Sequence, residues 1–170
     1  MARTEKKRGR PKRRDEAIGP TPETAAKLEP DVLLGLTEAG VLTLEQERAG
    51  REIADVWRAL MRGFFGTFNP DGARLSGRVR EPVDAMTQGE ARIYATTYLP
   101  WAKQEVRALV VNFPKLTRCD LAYRVCAANQ SPETVARAFQ VDRFALIQPL
   151  RDGLDNYLRF IDARERRKAG

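Results

Sequence analysis

The sequence predicts an all-α protein of about six helices, with a C-terminal helix-turn-helix and a disordered basic N-terminal arm. Three observations lead there. Apolar residues recur at helical spacing in several windows, and no run alternates with period two. Two of these windows open on a threonine followed three residues later by Gln46 or Glu90, the pattern of a capping box. Near the C-terminus, two helical windows are separated only by Gln140-Val141-Asp142, which is the spacing of a helix-turn-helix.

The chain begins with an arm, residues 1–30. It is basic, then rich in Pro, Thr and Glu, with few large apolar residues, so it should be disordered. Residues 1–14 hold eight basic residues and one acid, a net +7, and residues 15–170 hold 22 of each sign, so this first segment of the arm carries a charge equal to that of the whole chain. Arg8-Gly9-Arg10-Pro11 matches the core of an AT-hook, and Lys12, Arg13 and Arg14 extend it. A narrow A·T-rich minor groove attracts arginine, glycine permits close approach and proline keeps the strand extended.

Residues 31–116 read as a helical domain with a long loop at 66–86. Asp31 precedes a short helix that Gly40 closes. Thr43 and Gln46 then open the strongest amphipathic helix, 43–65, with Ile53, Val56, Trp57, Leu60 and Met61 on one face. Asn69-Pro70-Asp71-Gly72 marks a turn in the loop, whose Arg74, Arg78 and Arg80 are within reach of a phosphate only if the loop meets one. Thr87 and Glu90 open the next helix, expected to run to Phe113 with a kink or restart at Pro100 and an end at Pro114.

Residues 117–162 read as the helix-turn-helix region, and 163–170 as a basic tail that frays. A first helix covers Arg118 to Ala128. Ser131 caps a second, Pro132 to Phe139, with proline at its first position and Glu133 at the positive end of its dipole. Asp142 caps the third, which begins at Arg143. Val135 and Ala136 face that third helix, Val141 fills the turn, and Ile147, Leu150 and Leu154 face the core. In this arrangement the start of the third helix enters the major groove. Arg143, Gln148 and Arg151 are then the base-reading candidates, since arginine can pair with guanine and glutamine with adenine. Thr134, Arg137 and Gln140 flank them as phosphate contacts. Gln140 holds a turn position often given to glycine, and Pro149 predicts a kink or an early end of the recognition helix.

Composition excludes several chemistries. The chain has no histidine, which removes serine–histidine and cysteine–histidine catalysis and most zinc sites. No phosphate-cradling glycine loop or paired-carboxylate pattern is present, so neither an enzyme nor a cofactor or metal is expected. Cys119 and Cys126 lie about 10.5 Å apart along a helix axis, too far for a disulfide. No stretch approaches the ~20 apolar residues of a membrane span and no secretory signal opens the chain, which suggests a cytoplasmic protein.

Two stretches also resemble a known group. "LTEAGVLTLEQERAG" is similar to an element of alphaproteobacterial helix-turn-helix regulators, the activation factors of gene transfer agents. "DLAYRVCAANQSPETVARAFQVDRFALIQPLRDGLDNYLRF" resembles their C-terminal region. The resemblance implies promoter binding, activation of a phage-like gene cluster, and contact with RNA polymerase or a co-activator. The expected function is thus a sequence-specific transcription regulator acting on double-stranded DNA, and a homodimer would match two half-sites. The alternatives are a small terminase subunit for phage-type DNA packaging, which would assemble as a ring, and an RNA polymerase-binding antiterminator.

Overall fold

The computed structural model describes residues 30–65, 83, 86–112 and 114–169. The AT-hook-like segment and the arginines of the 66–86 loop lie outside the described residues. The fold is all-α, with six helices and one small hairpin among the described residues. None of these helices is long and apolar enough to cross a membrane. Asp31–Gly170 forms one compact unit.

Helix α1 is Val32–Glu38. The Asp31 carboxylate caps it by accepting the Leu34 N–H at 3.1 Å, and Gly40 turns the chain away at φ 68°, a conformation that only glycine adopts without cost. Helix α2 is Leu44–Phe65. Its capping box forms as the spacing predicts: Thr43 N–H donates to Gln46 Oε1 at 3.0 Å, and Gln46 N–H donates to Thr43 Oγ1 at 3.1 Å. The Gln46 amide also reaches Asp155 at 2.7 Å, tying the start of α2 to the last helix.

Helix α3 (88–105) consists of Gln88–Ile93, a π turn at Tyr94–Tyr98, and Leu99–Glu105. The Thr87–Glu90 capping box opens it. Pro100 does not break it, because it sits at the start of the Leu99–Glu105 segment, where a helix-type N–H is dispensable. Trp101 is buried and donates its indole N–H to the Gly153 carbonyl at 2.9 Å. The helix does not continue to Phe113. It stops at Glu105, and strand β1 (Leu109–Val111) pairs antiparallel with β2 (Leu116–Thr117). The Val110-Val111 pair favours extended backbone, and Pro114 assists the return.

Helix α4 (118–127) is Arg118–Ala122 followed by a second π turn, Tyr123–Ala127. Thr117 caps it with a third capping box, closed by Asp120. Helix α5 is Pro132–Phe139, and α6 is Phe144–Ala169. Pro149 neither ends nor shortens α6. The carbonyl that loses its donor is that of Ala145, an exposed residue whose backbone water can reach. The segment expected to fray, 163–170, is helical to Ala169. Its Arg164 grips Glu52 through two hydrogen bonds of 2.8 and 3.0 Å.

The core runs through both halves of this unit. Ile53, Val56, Trp101, Leu121, Val125, Val135, Leu150 and Leu154 belong to one cluster. Each such aliphatic side chain contributes roughly 1.5–3 kcal/mol on burial. Glu105 is also wholly buried. It faces Arg118 at 2.8 Å, without the N–H aligned on its oxygen, and accepts from Asn156 at 2.6 Å. This one carboxylate therefore joins α3, α4 and α6.

Candidate nucleic-acid interface

Helices α5 and α6 carry the helix-turn-helix geometry. Ser131 Oγ accepts the Thr134 N–H at 3.2 Å, so the predicted cap is in place. Val135, Ala136 and Phe139 are buried on the inner face of α5. At its end Gln140 adopts the left-handed conformation, φ 54° and ψ 42°. The turn thus has the shape usually supplied by glycine, built here with a glutamine. The Val141 N–H folds back onto the Ala136 carbonyl at 3.0 Å, and its side chain packs against the core. Asp142 accepts the Phe144 N–H at 2.8 Å and starts α6.

The inner face of α6 differs by one position from the expectation. Leu146, Leu150 and Leu154 are fully buried, whereas Ile147 is only half-buried. The i, i+4 series starting at Leu146 faces the core, and Ile147 turns toward a groove. This groove holds about 500 Å³ and lies between the α1–α2 turn and the start of α6. Leu36, Val41, Pro132, Phe144 and Ile147 give it an apolar lining. Phe144 is a large exposed side chain, 68% accessible. It was not singled out from sequence, because an aromatic next to a cap reads as core.

The base-reading candidates are not equivalent. Arg143 is exposed at the start of α6, as expected, but it is ion-paired with Glu133 at 3.0 Å and lies over the Phe144 ring at 4.6 Å. Glu133 is held below the usual carboxylate range. Its own backbone N–H is the main cause, and bonds from Ser131 and Arg143 outweigh the opposing effect of burial. Gln148 is exposed and donates to Asp152 at 2.8 Å. Arg151 is half-buried and donates through Nε to the Val41 carbonyl at 2.6 Å. It braces the α1–α2 turn against α6, which leaves Arg143 and Gln148 as the exposed candidates of the three. Glu133 and Val41 were invisible partners, because they lie 10 and 110 positions from the arginines they hold.

The flanking candidates are all exposed: Thr134, Arg137 and Gln140. Thr134 shares a hydrogen bond with the Ser131 hydroxyl at 3.1 Å. Arg137 has no ion-pair partner among the described residues. Arg124, behind the turn, covers the Phe139 ring at 5.0 Å.

Other chemistry is sparse. Among the described residues no group of three or more His, Cys, Asp or Glu side chains could hold a metal. Both cysteines are free. Burial pushes the Cys126 thiol up to about 12. Burial, reinforced by Asp120 and Glu105, pushes Cys119 up to about 11. Neither is a thiolate nucleophile near neutral pH. No family model, curated protein or solved structure matches this chain.

Proposed function

We propose that the protein is a sequence-specific DNA-binding transcription regulator, an activator of a phage-like or gene transfer agent gene cluster. The observation that carries this reading is the α5–turn–α6 unit. A serine-capped helix, a left-handed turn residue and a second helix starting just after Arg143 give the shape that presents a helix start to a major groove. Arg143 and Gln148 read bases, and Thr134, Arg137 and Gln140 meet phosphates. Arg143 must exchange Glu133 for the DNA. The basic arm at 1–14 adds affinity for any sequence. The gene-cluster part of the reading rests on the resemblance alone.

Footprinting on promoter fragments tests it, combined with anisotropy titrations over a range of salt. Wild type should protect a preferred site. Arg143→Ala should keep its circular dichroism and lose discrimination between sites by roughly 1–3 kcal/mol. Binding without any preferred site would overturn the proposal. One observation favours a second reading, an adaptor that binds RNA polymerase. The apolar groove beside Arg143, with exposed Phe144 at its rim, is suited to protein as well. Capture of polymerase in the absence of DNA, lost in Phe144→Ser, would support that alternative.

A further inference from the structure

Most cations near the recognition helix are engaged: Arg143 by Glu133, Arg151 by the Val41 carbonyl, and Arg118 by Glu105. The end of α3 and the hairpin are different. Lys103, Arg107 and Lys115 are exposed there, and none has an ion-pair or hydrogen-bond partner among the described residues. The carboxylates close to them in sequence are occupied. Glu105 is buried between Arg118 and Asn156, and Asp120 is bonded to the Thr117 hydroxyl and N–H. Lys103 and Arg107 line a shallow concavity of about 510 Å³. Residues 15–170 sum to zero charge, so two uncompensated cations on one concavity, with Lys115 exposed on the hairpin that follows, are a departure from the average surface.

A chain of contacts joins this patch to the outer side of α6. Gln148 bonds Asp152 at 2.8 Å, Asp152 approaches Arg118 at 3.8 Å, and the Arg118 N–H donates to the carbonyl of Ala108, next to Arg107, at 2.9 Å. The hairpin is thus anchored on the side of α6 that carries Gln148. We propose that Lys103, Arg107 and Lys115 form a second DNA contact, gripping phosphates of duplex DNA beside the segment read by Arg143. The proposal rests on the DNA-binding reading above. In it the hairpin acts as a fixed spacer that holds the cations at constant distance from the recognition helix. Phosphate contacts of this kind set register and orientation and carry no base preference.

The test uses the full chain and a labelled duplex carrying its footprinted site, and compares wild type with the triple variant Lys103→Gln, Arg107→Gln, Lys115→Gln. Because the three side chains have no partners among the described residues, thermal unfolding should be unchanged. Three lost phosphate contacts should flatten the salt dependence, so that the loss of affinity between about 50 and about 200 mM salt is roughly 40-fold smaller than in wild type. Discrimination between sites should be preserved, and Lys103→Arg with Lys115→Arg should bind like wild type. An unchanged salt dependence in the triple variant, with wild type binding its site, would overturn this proposal and leave the DNA-binding reading standing. Wild type that binds no duplex at all would overturn both. A variant that keeps duplex affinity but loses binding to duplex RNA, or capture of RNA polymerase, would assign the patch to that other partner and overturn the proposal.

Discussion

Arg143 and Glu133 are ion-paired at 3.0 Å across the turn between α5 and α6, so the leading candidate for base contact is occupied by an acid of the same motif. Both side chains are about half exposed, and such a pair contributes little to stability. On the proposed DNA-binding reading its importance lies in competition, since DNA would have to displace the carboxylate. On the DNA-binding reading, Glu133→Gln should bind DNA more tightly, and the gain should vanish when Arg143 is also replaced by alanine. Anisotropy titrations check this; an unchanged affinity would mean that Arg143 does not become available.

Arg151 should behave as a structural residue. Its 2.6 Å bond to the Val41 carbonyl holds the α1–α2 turn on α6. Arg151→Ala removes a hydrogen bond from a charged donor and should cost about 1.5–3 kcal/mol in urea unfolding. Site discrimination should be nearly unchanged. Loss of discrimination with full stability would return Arg151 to the base-reading set.

Gly50 should resist substitution for steric reasons. A Cβ there would lie 3.1 Å from Cys126 Sγ and 3.1 Å from both Leu33 methyl carbons. Overpacking of this kind costs about 1–3 kcal/mol, against a gain of up to about 1 kcal/mol in helix propensity. Gly50→Ala should therefore melt lower than wild type, and adding Cys126→Ala should restore part of the loss. A Gly50→Ala protein more stable than wild type would show that α4 yields at this contact.

The helix starts should set the acid limb of stability. At Asp31 burial acts to raise the pKa, but the Leu34 N–H and Arg51 outweigh it and hold the carboxyl below its usual 3.8. At Glu90 the Thr87 N–H, followed by Arg62, lowers the pKa from 4.5. Glu133 is lowered in the same way. A folded-state pKa below the unfolded one contributes stability above the unfolded value, and that stability is lost as pH falls through the folded one. The urea midpoint should hold from neutral pH down to about 5 and decline below about 4. Salt should weaken the part that comes from Arg51 and Arg62, which are exposed. Replacing Glu90 and Glu133 by glutamine should flatten the decline.

Much of the fold was legible because its signals are local. A capping box spans three residues, so Thr43–Gln46 and Thr87–Glu90 could be read directly, as could the Ser131 cap and the Gly40 turn. The hairpin was hidden for the opposite reason. Val106, Leu109 and Val110 satisfy a helical pattern, and only pairing between Leu109 and Thr117 decides against it. Tertiary contact likewise selects Leu146 over Ile147 as the buried position. In the candidate interface, Arg143 and Gln148 fell on the exposed side as their spacing indicates. The partners that restrict Arg143 and Arg151 come from other elements, and no spacing rule reaches them.

The buried Glu105 has a consequence for cutting the chain. It sits before the 117–162 helix-turn-helix region in sequence, yet its partners Arg118 and Asn156 both lie within that region. Trp101 similarly donates to Gly153. A fragment starting at Thr117 would lose the counter-charge of Arg118 and expose the surface of α6 that Trp101 covers. The helix-turn-helix region is therefore not a detachable module: binding studies need the chain from Asp31 onward, and a shorter piece that fails to bind would report on its own unfolding.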